Sequence, residues 1–407
     1  MALLPVSEAR ARILDGASRL AAETVPLAEA AGRTLASDLV ARRTQPPFNA
    51  SAMDGYALRG ADAIADAVLT VTGEAPAGRA FDQRVGPGEA VRIFTGAPVP
   101  EGADTVLIQE NAEALPGSKV RVIEAPEIGR NVRPAGLDFR EGETLLKSGQ
   151  RLDWRHIALA AAMNYPDLRV TRRPRVAILA TGDELVAPGD TARPDQIIAS
   201  NSYGLAALVS ASGGEAIDLG IATDNRTDLI ERIKSAVSPS IEVPGIDVLV
   251  TLGGASVGDH DLVREALGAV GLDLAFWKIA MRPGKPLMFG RLGTTRVLGL
   301  PGNPVSSLVG GALFLRPLIG ALCGRNVDNE PRIEKAILAT EVKPNDARAD
   351  YLRATLSTGE DGLPSVTPFE TQDSAMLSCL IAADCLLIRP PYAPAASPGE
   401  RVEIIRI

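Results

Sequence analysis

The chain has 407 residues, room for two to four domains at roughly 150 residues each. Apolar residues make up 46% and charged residues 23%, an ordinary globular balance, while aromatics at 4% leave the cores to Ala, Val, Leu and Ile. A net charge of -8 excludes the global basic footprint of a nucleic-acid binder, and three cysteines without CxxC spacing (Cys323, Cys379, Cys385) exclude a disulfide framework or structural zinc site and fit a reducing, cytoplasmic setting.

The first residues, MALLPVSEARARILDG, hold acidic side chains and no long apolar core, so they do not read as a secretory signal. Residues 5–40 read as helical, with Val6, Ala9, Ile13 and Leu14 at helical spacing. Gln45-Pro46-Pro47-Phe48 is a breaker. Residues 49–135, rich in Gly and Pro with short runs at Val68 and Thr105, predict a small β-rich domain. Residues 152–163 predict an Ala-rich helix.

From Arg173 the texture changes. Arg175–Ala180 is a near-continuous apolar run, as in a buried parallel strand. Helices follow at 202–212, 227–237 and 261–270, with strands at 215–221, 247–251, 274–280 and 295–300. Alternation of this kind predicts a doubly wound parallel sheet covered on both faces. The uncharged run Val297–Leu315 is long enough to consider as a membrane span. Its Pro301, Asn303 and Pro304 favour a buried loop and helix instead, with no membrane partner. Beyond residue 328, strands at 333–340, 351–356, 365–368, 385–389 and 401–407 predict a small β-barrel or sandwich.

Ligands of such sheets bind beyond the carboxyl ends of the strands. Four loops there are unusual: Thr181-Gly182-Asp183-Glu184, Thr223-Asp224-Asn225, Gly253 to Asp261 and Leu300-Pro301-Gly302-Asn303-Pro304. Asn303 can cap the next helix with Pro304 in its first turn. Free N–H groups there attract an anion. Gly253, Gly254 and Gly258 would let backbone approach a phosphate. Plain strand-to-helix turns also need glycine, so each loop alone is weak; two on one edge point to an anion site. No Walker A or Rossmann fingerprint occurs in context.

Lys278, Arg282 and Lys285 stand within eight residues with no acid between them. They read as an oxyanion clamp or as a solvated basic face. Asp183, Glu184, Asp224, Asp259 and Asp261 would repel an anion unless a hard cation such as Mg²⁺ bridged the two. Helix capping by Asp259 and Asp261 is the competing reading. His260 reads as a loop or packing residue.

These residues sit in motifs that together resemble the molybdopterin molybdenumtransferase family, whose eukaryotic relative is the gephyrin E domain. They are PPFNASAMDGYA at Pro46–Ala57, IFTGAPVPEGADTV at Ile93–Val106 and the Arg130–Gly142 segment with Asp138. ATGDEL at Ala180–Leu185, Ser200-Asn201-Ser202, RPGKP at Arg282–Pro286 and GLPGNPV at Gly299–Val305 follow in order. The match spans essentially the whole chain. Leu252 stands where Thr or Ser is usual, Tyr351 where Phe is, and Ala375 where Gly is common.

The resemblance implies a homodimer of four domains per chain. The first is discontinuous (1–46 and 136–173), the second inserted (47–135), the third a molybdopterin-binding α/β domain (174–328) and the last a β-barrel (329–407). It implies transfer of molybdenum from molybdate into adenylylated molybdopterin with release of AMP, Mg²⁺ as cofactor, and molybdoenzymes or their chaperones as recipients. It carries catalytic roles onto Asp54, Asp138, Asp261, Lys278 and Arg282, and metal binding onto Glu184, Asp224 and Asp261. Substrate contacts fall on Thr181, Gly182, Asp183, Glu184, Ser202, Gly253, Gly254, Ser256, Lys285, Pro301, Gly302, Asn303, Pro304, Arg348, Arg353 and Ser374. A molybdopterin adenylyltransferase and a scaffold with a degenerate site are the alternatives.

Overall fold

The computed structural model describes residues 3–238, 245–253, 262–359 and 362–407. Its central sheet orders six strands as Glu215–Ala222, Arg175–Thr181, Val248–Leu252, Thr295–Leu300, Met288–Leu292 and Asp273–Trp277. The first four run parallel, with Val176 opposite Val248 and Val250 opposite Leu298. The last two are antiparallel to their neighbours, so the sheet is mixed rather than wholly parallel as expected. Met288–Leu292 is the strand the sequence did not announce. It turns into Thr295–Leu300 at Gly293, where φ is 59° and glycine carries no steric penalty.

The period-two geometry of Arg175–Thr181 divides its side chains between two cores. Val176, Ile178 and Ala180 meet Leu205, Val209, Val305 and Val309 on one face; Ala177 and Leu179 meet Leu229, Ile233, Val263 and Leu267 on the other. Each large side chain withdrawn from water here contributes about 1.5–3 kcal/mol. The helices Asn201–Ala211 and Pro304–Leu322 cover the first face, and Arg226–Val237 and Leu262–Ala269 the second. Pro304–Leu322 is long and apolar enough for a membrane span, yet 78% of its most apolar window is buried inside the protein, so it is a core helix. Its middle turn, Gly311–Leu315, widens to a π turn just before Pro317. That proline lacks an N–H and its ring crowds the carbonyl four residues back; the wider turn relieves both.

The helix expected over residues 5–40 is confined to Val6–Leu14. Gly16, at φ 58°, ends it, and Ala22–Pro26 is a strand paired antiparallel with Asp167–Thr171. One apolar core draws Val25, Leu35 and Leu39 together with Phe139, Leu152, Met163 and Leu168 from the far side of the intervening 90 or so residues. Those intervening residues form their own six-stranded sheet, ordered Thr105–Ile108, Gly55–Leu58, Glu89–Ile93, Val68–Ala75, Lys119–Val122 and Ala112–Leu115.

After the core helix, Ile333–Leu338, Ala349–Ser357, Ser365–Pro368, Cys385–Arg389 and Arg401–Arg406 close into a barrel through the pairing of Ala349–Ser357 with Cys385–Arg389. Closure removes the free edges that would otherwise recruit another strand. The short strand Met281–Arg282 adds to Ala349–Asp350 and fastens the basic segment to the barrel. Burial of Tyr351 between barrel and α/β domain, and of Cys385 inside the barrel, pushes the phenol from its ordinary 10.0 to about 12 and the thiol from 9.0 to about 11. Folding thus favours both neutral forms, so their contribution is complete below pH 9.0 and is lost as pH climbs toward about 12. Urea midpoints compared across that window are expected to drop on its alkaline side, and Tyr351→Phe combined with Cys385→Ala is expected to flatten the drop.

Candidate active site

The carboxyl ends of the four parallel strands open onto one cavity of about 810 Å³. Thr181, Gly182 and Glu184 enter it from the first strand, Asp224 from the second, Gly253 from the third and Pro301, Gly302, Asn303 and Pro304 from the last. Ser202 joins them from the start of Asn201–Ala211. The convergence expected of these loops is therefore present, at the edge where α/β sheets take ligands.

Glycine geometry brings the loops together. Gly182 has φ 144°, and a Cβ there would lie 2.4 Å from a Glu184 carboxylate oxygen. The Glu184 carboxylate therefore folds back over bare backbone. Gly253, at φ 92°, faces the Thr181 carbonyl, which a Cβ would approach to 2.8 Å. A Cβ on Gly302 would sit 3.6 Å from Gly253 Cα, so these two loops touch through backbone alone.

Asp183 does not line the cavity; its carboxylate accepts from the Asp224 N–H at 3.0 Å and holds the second loop against the first. Asn225 caps Arg226–Val237, accepting from Thr227 N at 2.8 Å and Asp228 N at 3.3 Å. This leaves the Asp224 side chain free to face the cavity. Gly254, Ser256 and Asp261, together with Asp259 and His260, lie outside the described residues.

The Pro301–Pro304 loop departs from expectation. Asn303 does not cap its helix; its amide donates to Ser374 Oγ at 2.9 Å, and the Val305 N–H donates to the Ser374 carbonyl at 3.0 Å. A loop of the barrel thus takes part of the helix N-terminus that the sequence left open for an anion. Ala375 and Leu377 from that same loop complete the cavity wall. On the other side Asn201 donates to the Gly302 carbonyl at 2.6 Å, and Ser307 Oγ donates to the Asn303 carbonyl at 3.1 Å. Ile197, Ile198 and Leu377 were not singled out from sequence; Asn201 and Pro286 stood only within quoted motifs, and Ala375 only as a departure from the usual Gly.

The basic segment begins where Asp273–Trp277 ends, and its three cations have different surroundings. Lys278 Nζ lies 3.7 Å from the Trp277 ring centroid, a cation–π contact, with Arg264 over the same ring at 4.2 Å. Arg282 pairs with Asp346 at 2.6 Å and lies 3.6 Å from Asp350, so barrel carboxylates already neutralise it. Arg348 shares Asp346 at 2.8 Å and holds that carboxyl well below the ordinary carboxylate range. Burial pushes the Asp350 carboxyl upward, with Arg282 opposing. Neither Lys278 nor Lys285 has a carboxylate in ion-pair reach among the described residues.

Several predicted site residues lie apart from the cavity lining: Lys278, Arg282, Lys285, Arg348, Arg353 and Ser374, with Asp54 and Asp138. Arg353 is 1% exposed, and its Nη1 donates to the Asp373 carbonyl at 2.9 Å. Asp54 belongs to the inserted sheet region. Its carboxylate accepts from the Thr95 N–H at 2.7 Å and hydroxyl at 2.8 Å, and these bonds hold it below the ordinary carboxylate range. Asp138 is exposed.

Three family models match in chain order: the MoeA N-terminal region (domain I and II) over residues 4–164, a probable molybdopterin binding domain over residues 177–321, and the MoeA C-terminal region (domain IV) over residues 335–407. A molybdopterin molybdenumtransferase from Haemophilus influenzae is 34% identical over 403 residues, covering 99% of this chain and 98% of that protein. One from Nostoc sp. is 38% identical over 393 residues, covering 95% of this chain and 88% of that protein. The crystal structure of a molybdopterin biosynthesis moeA protein from Pyrococcus horikoshii OT3 superimposes with a TM-score of 0.81 at 29% identity, over 100% of both chains.

Proposed function

We propose, for a chain that belongs to the molybdopterin molybdenumtransferase family and has that activity in molybdenum cofactor biosynthesis, that the cavity of about 810 Å³ is its active site. It takes adenylylated molybdopterin and molybdate; molybdenum enters the dithiolene and AMP leaves. The observation that carries this reading is the meeting of Glu184 and Asp224 with the bare backbone of Gly253 and Gly302 in one cavity. Glycine backbone suits the phosphate, and Lys278 and Lys285 at the same edge supply positive charge for oxyanions.

The cavity's donor set fits Mg²⁺. Glu184 and Asp224 offer hard carboxylate oxygens at the cavity, and carboxylate oxygens together with substrate phosphate are the ligands Mg²⁺ takes. When bound, Mg²⁺ would neutralise phosphate charge as AMP departs. Glu184 and Asp224 would hold it, with Asp261 as the third predicted ligand. Arg282 and Arg348 orient the barrel against the basic segment through Asp346.

We propose a homodimer in which Asp54 and Asp138 of a second copy complete the site. Phe48, Met53 and Leu137, apolar and 39%, 41% and 60% exposed, flank those two acids in sequence and supply surface for a partner. Separate apolar cores in the discontinuous and inserted domains support part of the division given above, whereas one core joins Ala9, Ile13, Tyr351, Leu386 and Ile405 to the α/β domain. The free cysteines suit the cytoplasm. Molybdoenzymes or their chaperones would receive the product.

The test is AMP release by purified protein given adenylylated molybdopterin, Mg²⁺ and molybdate. Release that depends on molybdate supports the assignment. ATP consumption with molybdopterin would instead assign the preceding adenylylation, and no calorimetric binding of AMP or molybdopterin would point to a scaffold.

A further inference from the structure

We infer that Gln372 is a positioning residue for the reaction, acting through the barrel loop that walls the cavity. The inference rests on the cavity being the active site. Gln372 is half-buried and carries no charge, and nothing in the sequence singles it out. Its carboxamide does the work of a missing strand. Oε1 accepts from the Arg353 N–H at 3.0 Å, and Nε2 donates to the Arg353 carbonyl at 3.0 Å. This is the two-point pairing one residue offers another in an antiparallel ladder, made here by a side chain. Oε1 also accepts from Arg353 Nε at 3.2 Å, and Nε2 also donates to the Phe369 carbonyl at 2.9 Å. All four amide positions are used, so neither Glu nor Ala can replace them.

What this pairing holds is the run from Asp373 to Leu377. Arg353 Nη1, fixed by Gln372, donates to the Asp373 carbonyl at 2.9 Å. The Asp373 carboxylate accepts from the Ala375 N–H at 2.8 Å and sets the next bend. Ser374 then meets Asn303 and Val305 at the helix start, and Ala375 and Leu377 face the cavity. Gln372 itself is not among the lining residues. Its effect on substrate passes through backbone position, where a displacement of about 1 Å can cost on the order of a hundredfold. Arg353, predicted as a substrate contact, holds the same loop from below.

The experiment measures AMP release against adenylylated molybdopterin concentration for wild type, Gln372→Ala and Gln372→Glu. Gln372→Glu keeps the acceptor and the shape but cannot donate to the Arg353 and Phe369 carbonyls. Both variants are expected to raise KM about tenfold with kcat within about threefold, the pattern of lost substrate binding rather than lost chemistry. Arg406→Ala, which removes an exposed ion pair with Glu334 elsewhere on the barrel, is expected to leave KM unchanged. Unchanged KM in folded Gln372 variants, or an equal KM rise in Arg406→Ala, would overturn the inference. A wild type without molybdate-dependent AMP release would instead overturn the active-site reading beneath it. Should Gln372→Ala not fold, Gln372→Glu alone decides the matter.

Discussion

Glu184→Gln is expected to lower molybdate-dependent AMP release by about a hundredfold while leaving thermal stability unchanged, the scale seen when one group stabilising charge in an active site is removed. The carboxylate is exposed, so the folded protein does not depend on its charge. Its position is set by what lies beneath it: Gly182 at φ 144°, where any Cβ would meet the carboxylate within 2.4–2.7 Å. The backbone after it is pinned as well, since the Glu184 carbonyl accepts from the Ile197 N–H at 2.8 Å. Glutamine matches this shape and loses only the charge. If the carboxylate holds Mg²⁺, the variant should also need more Mg²⁺ to reach half its maximal rate. A variant with wild-type rate and wild-type Mg²⁺ dependence would remove Glu184 from the proposed metal site.

Gly55→Ala is expected to destabilise the protein by about 3 kcal/mol or more, the upper end for forcing atoms into packed structure. Gly55 opens the strand Gly55–Leu58, which pairs antiparallel with Thr105–Ile108 at one edge of the inserted sheet. A Cβ on Gly55 would lie 1.9 Å from the Leu107 carbonyl oxygen and 2.9 Å from its carbon. Both are backbone atoms, so no rotamer change makes room; the strands must part. Asp54 is the preceding residue, and its carbonyl accepts from the Gln109 N–H at 3.1 Å. Parting the strands would therefore carry Asp54 away from Thr95, and AMP release should fall along with the urea midpoint. A Gly55→Ala protein with an unchanged urea midpoint would show that this strand pair is looser than the geometry states.

The repeated strand–helix unit was legible because Arg175–Ala180 and its successors are apolar on both faces, and the helix positions follow from that alternation. Met288–Leu292 escaped notice because Gly290 and Arg291 interrupt it. Gly290 is there because a Cβ would strike the Asp273 carbonyl at 2.6 Å, a contact between strands that no local pattern encodes. The overlong first helix came from carrying the spacing of Val6, Ala9 and Ile13 past Gly16. Among the candidate site residues, those in the sheet-edge loops were readable because glycine, acid and amide cluster there. Asn303 lines the cavity, but its amide bonds Ser374 rather than its own helix. Helix-capping rules describe one chain segment, and Ser374, its actual partner, lies 71 residues away.

The unannounced strand also fixes where the cations fall. Two antiparallel steps separate Thr295–Leu300 from Asp273–Trp277, and an even number of reversals restores the original direction. Trp277, and with it Lys278 to Lys285, therefore emerges on the cavity edge; one reversal fewer would have sent the basic segment to the opposite end of the sheet. The turn at Gly293 must then fall on that opposite end, with open space around it. Chain length at Gly293 is free to vary without moving the basic segment from that edge, whereas the count of strands in this corner is not.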